Sequence, residues 1–397
     1  MMDTATVLTS QKDKFSLPPD VTYLNCAYMA PLPKAVEDAG IRGLRLKQTP
    51  YQITLKEFFD DVDQLRSEFA ALINVPNPNR IAVLPSVSYG MATIAKNLPL
   101  EKGAHIIVTG EQFPSNYYSW QKVVDRHGGQ LKVIKAPDTW ENRGQQWNER
   151  LLEAIDQHTA LVALPQHHWA DGTRFDLKAI RQRTREVGAL MVIDGTQSVG
   201  AYPFDVQQIQ PDALVCAGYK CMMGPYASAL AYYGEYFDQG EPLEEGWIAR
   251  YGSEDFSSLV NYVEDYQPDA IRYDMGERSN FILVPMLYEA VRMIRRWGAG
   301  NIQAYCRRLV NAPIQELRTM GYFVEEEAYR AHHLFGVRLP SSVVMDQLKQ
   351  IFAEQQVYVS IRGNAVRVSP NVYNDEKDLQ QLLNCFAAIK ETHFGSI

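Results

Sequence analysis

Two short apolar runs near the middle of the chain constrain its fold more than any other stretch. Leu190–Ile193 ends at Asp194, and Ala213–Cys216 leads into Gly218-Tyr219-Lys220. Short apolar runs bounded by turn residues read as strands buried on both faces. A carboxylate at the end of one and a lysine just past the other, with small residues around them, imply a cofactor site.

The rest of the first half repeats this pattern. Ile81–Leu84, His105–Thr109, Leu131–Ile134 and Ala160–Leu164 read as further short strands. Thr54–Ile73 reads as an amphipathic helix with Leu55, Phe58, Phe59, Val62, Leu65, Phe69 and Leu72 on one face; helices also fit the stretch from Met91 and Leu177–Val187. Strands alternating with helices predict an α/β fold whose mostly parallel sheet is covered on both faces. Ligands of such sheets bind beyond the carboxyl ends of the strands. The polar turns Pro85–Gly90, Gly110–Asn116 and Gln166–Gly172 all fall there.

After Tyr233 the alternation fades. Val284–Trp297 predicts a long helix, and beyond it come strands Gly321–Glu325 and His333–Leu339, a helix Ser342–Gln355, and strands Tyr358–Ile361 and Ala365–Val368. At 397 residues, a large domain plus a smaller α+β one is expected. The division expected is an arm over 1–30 packing with the small domain, a large domain over 31–285 and a small one over 286–397.

A net charge of −8 argues against broad nucleic-acid binding. Cys26, Cys216, Cys221, Cys306 and Cys385 lack C-x-x-C spacing, so reduced thiols rather than a metal site are expected. No stretch has the length of a membrane span, and the first residues lack an apolar signal core. A cytoplasmic protein with no membrane partner is the expectation.

Lysine is rarely buried, because desolvating an ammonium is costly. At a strand end beside Gly218 and the Gly224-Pro225 turn, Lys220 is placed for a lowered pKa and Schiff-base chemistry, with a solvated loop lysine as the alternative. Asp194 suits a pyridinium nitrogen, or it caps the next turn.

Asp194-Gly195-Thr196-Gln197-Ser198, followed by Gly218-Tyr219-Lys220 and a glycine turn, resembles the class V aminotransferase group of pyridoxal-phosphate enzymes, which includes cysteine desulfurases and kynureninase. Tyr23–Ala27 (YLNCA) is similar to that family's YLDNA. Arg367-Val368-Ser369-Pro370 through Tyr373-Asn374 is similar to its R-x-S-x-x-x-Y-N. The resemblance spans nearly the whole chain. It implies fold type I, with a large sheet domain and a smaller α+β C-terminal domain, and pyridoxal 5'-phosphate as cofactor.

It also implies roles. Lys220 would form the Schiff base and shuttle protons at the substrate. Asp194 would pair with the pyridine nitrogen and Gln197 with the phenolic oxygen. Ser88 and the backbone N–H groups around Tyr89-Gly90 would hold the phosphate, a task that helix N-termini suit physically. Tyr219 would add a hydroxyl donor. Phe113 would stack on the ring, and Trp169 would direct its indole N–H to the cofactor; His168 reads as capping its turn. Arg367 would clamp the substrate carboxylate bidentately, with Arg362 a second candidate. Gly276–Asn280 resembles the segment that reaches a neighbouring subunit's phosphate, with Ser279 one candidate and the contacting side chain left open among the five, which implies a homodimer with shared sites.

Departures from the family pattern narrow the activity. Desulfurases carry a cysteine nucleophile on the loop before the carboxylate arginine, whereas Ser360–Ala365 is short and has none. No G-x-G-x-x-G follows the early strands, which argues against a nicotinamide dehydrogenase. The expectation is an aminotransferase acting on an amino acid. A lyase or epimerase is the alternative, and a non-catalytic cofactor-binding protein ranks last.

Overall fold

The computed structural model describes residues 7–340 and 343–394. Its main sheet has seven strands, in the spatial order Ile81–Leu84, Ala229–Tyr233, Ala213–Ala217, Leu190–Asp194, Thr159–Pro165, His105–Thr109 and Gln130–Ile134. Ala229–Tyr233 is antiparallel to both neighbours, and every pairing from Ala213–Ala217 outward to Gln130–Ile134 is parallel. Every strand but Ala229–Tyr233 therefore runs the same way. Their carboxyl ends, including Leu84, Thr109, Pro165, Asp194 and Ala217, share one edge.

The apolar runs are continuous because both faces of the sheet are buried. Side chains alternate between faces along a strand. Met191 and Ile193 accordingly join one core cluster, with Leu214 and Cys216, while Val192 joins the other, with Ala213 and Val215. The outermost strand, Gln130–Ile134, is only partly covered, which explains its weaker apolar signature. Ala229–Tyr233 and the helices Lys34–Leu46, Ser115–His127 and Arg143–Ala154 add to the elements expected from sequence.

Helix Leu55–Leu72 starts at a capping box formed by Thr54 and Glu57 and buries Phe59, Val62, Leu65 and Phe69. Arg66, buried on the same helix, donates to Ile81 O and Asp274 Oδ2, pinning the helix to the first strand of the sheet.

The helix expected over Val284–Trp297 runs Leu283–Trp297 and is followed by Ala299–Thr319. A four-stranded antiparallel sheet then forms in the order Ser360–Arg362, Ala365–Val368, Phe335–Arg338, Phe323–Val324. The strand expected over Tyr358–Ile361 is divided. Val357–Tyr358 pairs in parallel with Thr22–Tyr23, while Ser360–Arg362 joins the hairpin. Further bonds from Leu24 N to Tyr358 O (2.9 Å) and Cys26 N to Ser369 O (3.1 Å) fasten this N-terminal stretch. The helix expected from Ser342 runs Met345–Glu354; Ser341 and Ser342 lie outside the described residues, as do residues 1–6 of the expected arm.

Candidate active site

At the carboxyl edge of the main sheet the polar turns enclose a cavity of about 410 Å³. Ser88, Phe113, Trp169, Asp194, Gln197, Tyr219 and Lys220 all line it. Residues far apart in sequence meet there because each follows a parallel strand, or lies just beyond one.

Lys220 is aimed by a tight turn. Gly218 N donates to Ser228 O and Gly224 N to Gly218 O, both at 2.8 Å. A Cβ on Gly218 would stand 2.4 Å from Ser228 Oγ, so this approach requires glycine. The Lys220 amine is pushed down to about 8 by burial; Asp194 pulls the other way, and Arg367 and Arg362 add to the decrease. Its Nζ stands 5.3 Å from the Phe113 ring centroid and 5.5 Å from that of Tyr219. Among the described residues no carboxylate lies within ion-pair distance of it. A buried, weakly basic amine beside an open space has the properties a nucleophile needs.

Asp194 is buried, and burial pushes its carboxyl up, with the Thr196 bonds and the Lys220 charge opposing. Its Oδ1 accepts from Thr196 N at 3.0 Å. A cationic N–H in the cavity would supply the partner that keeps it ionised.

Across the cavity stands the N-terminus of helix Val87–Lys96. Ser86 caps it, its Oγ accepting from Tyr89 N at 3.2 Å. Tyr89, expected from sequence among the cofactor-binding residues, does not line the cavity: its N–H is engaged by Ser86 and its phenol lies beside Glu244. The N–H groups of Val87 and Ser88, with the Ser88 hydroxyl, remain for an anion.

The aromatic walls are Phe113 and Trp169, whose rings meet edge to face at 5.5 Å. The expectation that the Trp169 indole N–H points at a cofactor is corrected: Nε1 donates to Glu111 O at 2.6 Å. Trp169 contributes a face, with the Arg362 guanidinium stacked 5.3 Å from its centroid. Gln197 Nε2 donates to Ala27 O at 3.0 Å, and its Oε1 is buried without a partner; the amide keeps one N–H for a ligand. His168 is fully buried behind the wall, against Gly110 O (3.1 Å) and Asp171 Oδ1 (3.4 Å), and does not line the cavity.

Two further residues lie off the cavity lining. Arg367 is buried beside it, donating through Nη1 to Trp169 O at 2.7 Å and through Nη2 to Ser360 Oγ at 3.1 Å. Ser279 is not brought to this cavity. Its hydroxyl donates to Phe58 O, and the adjacent Arg278 is committed to Asp274 at 2.5 Å, which leaves Glu277 and Asn280 as the exposed members of that segment.

The lining also holds Ser86, Gln112 and Ser115, which lie in the turns expected at this edge without a role of their own, together with Thr196, Tyr226 and Ser228. Thr196 lies inside the quoted motif and was legible as the donor to Asp194. Tyr226, exposed and 4.6 Å from the Tyr219 ring, had no local signal.

The chemistry of this donor set fits pyridoxal phosphate. It offers an amine for the aldehyde, a buried carboxylate for the ring nitrogen, an aromatic face for the ring and unpaired helix donors for the phosphate. Comparison with known proteins agrees. The family model described as aminotransferase class-V matches residues 51–382. An uncharacterized aminotransferase, YcbU of Bacillus subtilis (strain 168), is 25% identical over 338 residues, covering 84% of this chain and 85% of that protein. Isopenicillin N epimerase of Streptomyces clavuligerus is 23% identical over 408 residues, covering 95% and 97%. Among solved structures, a mutant of C-DES with glycine covalently linked to its PLP cofactor superposes with a TM-score of 0.85 at 21% identity, covering 96% of this chain and all of that one (100%). The chain has the α/β architecture of fold type I, and it belongs to the aminotransferase class-V family.

Proposed function

We propose that this chain is a pyridoxal-phosphate-dependent aminotransferase that takes the amine of an amino acid and delivers it to a keto acid. The observation that carries the reading is one cavity holding the weakly basic Lys220 amine, the buried Asp194 carboxylate and the open N-terminus of helix Val87–Lys96. Pyridoxal phosphate, when bound, supplies an electron sink that stabilises negative charge at the substrate Cα.

The chain's own residues supply the rest. Lys220 would hold the cofactor through its aldehyde carbon, and its amine, once free, would move the proton at the substrate Cα. An amine lowered to about 8 is suited to that task near neutral pH. Asp194 would keep the ring nitrogen protonated. Ser88 and the first N–H groups of its helix would hold the phosphate, Tyr219 would offer a further hydroxyl, Phe113 would cover the ring, and Gln197 would donate to the phenolic oxygen. Arg367 meets the substrate carboxylate.

Sulfur transfer through a cysteine is not supported. Ser360–Arg362 and Ala365–Val368 form a tight hairpin without cysteine, and all five cysteines are buried and absent from the cavity lining. Epimerisation is the second reading, favoured by the end-to-end match to isopenicillin N epimerase. We also infer the division into residues 1–30, 31–285 and 286–397, and a homodimer. In support of the dimer, Tyr51 (81%), Val260 (80%) and Tyr262 (99%) are apolar residues left exposed on one chain.

A single-turnover assay tests the activity. With one amino acid and no acceptor, an aminotransferase releases about one keto acid per site and then stops. Inversion at Cα with no keto acid released would favour the epimerase.

A further inference from the structure

The hairpin beside the cavity carries two guanidiniums that no carboxylate answers. Its register pairs Ser360 with Arg367 and Arg362 with Ala365, and Ala365 in turn with Arg338. Residues directly paired, or two apart along a strand, share a face of the sheet. Arg338, Arg362 and Arg367 therefore lie on one face, and Ile361, Val366 and Val368 pack into the core from the other.

The three arginines differ in their partners. Arg338 Nη2 meets Asp171 Oδ2 at 2.6 Å, and its Nη1 donates to Asn364 Oδ1 at 2.7 Å. Arg367, only 1% exposed, has a backbone carbonyl and a serine hydroxyl for company, and its Nε has no partner. Arg362 donates to Ile361 O at 2.8 Å, stacks on Trp169 and buries an unpartnered Nε. Among the described residues no Asp or Glu oxygen lies within 4.0 Å of either. Trp169, a wall of the cavity, touches both: its carbonyl accepts from Arg367 and its ring carries Arg362.

A buried cation without a counter-ion is costly, and a like charge beside it raises that cost. Burial first, and then Arg362, push the Arg367 guanidinium down to about 9. One carboxylate can meet one guanidinium fork edge-on. A single bound carboxylate would leave the other arginine unanswered beside Lys220.

We propose, resting on the amino-acid reading above, that Arg367 and Arg362 hold two separate carboxylates. Arg367 takes the α-carboxylate, and Arg362 takes the side-chain carboxylate of a dicarboxylic amino acid or of its keto acid. The substrate class is then an acidic amino acid.

Calorimetric titration of the purified, cofactor-loaded protein with glutarate and with butyrate tests this. Glutarate binds at least about tenfold tighter than butyrate, and Arg362→Gln brings glutarate to the level of butyrate while leaving butyrate unchanged. Arg362→Lys, which keeps the charge without the fork, restores part of the preference. Equal binding of the two acids by the unaltered protein overturns the proposal. So does an Arg362→Gln variant that loses both acids by the same factor, because both arginines would then grip one carboxylate. Borohydride trapping at Lys220 is read separately. A trapped lysine with no glutarate preference rejects only the dicarboxylate assignment, and no trapping at Lys220 removes the amino-acid reading and this one with it.

Discussion

Asp171 accepts Arg338 Nη2 at 2.6 Å, joining the turn behind the cavity to the antiparallel sheet. The same carboxylate accepts Arg143 Nη1 at 2.9 Å and Thr173 N at 3.0 Å. Burial alone would raise its carboxyl, but His168, Arg143 and Arg338 outweigh that and hold it well below the ordinary range. Removing one partner of a buried ion pair leaves uncompensated charge, so Asp171→Asn costs about 3–5 kcal/mol at pH 7 by denaturant unfolding. The sign with pH follows from the lowered folded value. The stabilisation is complete above the unfolded value near 3.8 and is lost as pH falls through the folded one, so the gap between variant and parent narrows in acid.

Gly218 tests how the lysine is aimed. Gly218→Ala places a methyl 2.4 Å from Ser228 Oγ, with Ser228 O at 3.0 Å behind it. Overpacking of this kind costs about 1–3 kcal/mol. The turn that presents Lys220 shifts, and cofactor occupancy falls with stability. Adding Ser228→Gly removes the nearest atom and recovers part of both, as read by melting and by visible absorbance.

Trp169→Phe separates the two roles considered for that side chain. The variant keeps an aromatic wall and loses the bond to Glu111 O. It is destabilised by about 1 kcal/mol, and the visible band of the bound cofactor stays where it was. A shifted band would place the indole N–H on the cofactor.

The pH dependence of cofactor uptake reports on Lys220 itself. Only the neutral amine attacks an aldehyde, and burial holds this one near 8. Uptake of pyridoxal phosphate by the stripped protein should quicken up to about pH 8 and then level off. An unperturbed lysine would keep gaining rate to above pH 10.

The legible part of the fold was what strict periodicity dictates. Met191, Val192 and Ile193 have no polar alternation because both faces of their strand are covered, so the run and its terminal Asp194 stood out. Lys220 was visible for the same reason, one turn past a buried strand. Ala229–Tyr233 carries no local signal of its strand direction, because it pairs antiparallel with Ile81–Leu84 from far up the chain. The donor role of Trp169 was misjudged because it depends on the Glu111 carbonyl, presented by a residue at φ 50° that nothing local announces. Within the single chain the Ser279 hydroxyl donates to Phe58 O on a distant helix, a contact the motif does not announce. The shared face of Arg362 and Arg367 likewise rests on the hairpin register across Gly363-Asn364, whose glycine adopts φ 57°.

The central claim is that Lys220 carries the cofactor. Borohydride reduction of the purified, cofactor-loaded protein, followed by peptide mapping, tests it most directly. One stable pyridoxyl adduct on Lys220, absent from Lys220→Ala, is the expected result. An adduct on any other lysine, or a protein that gains none, would contradict it.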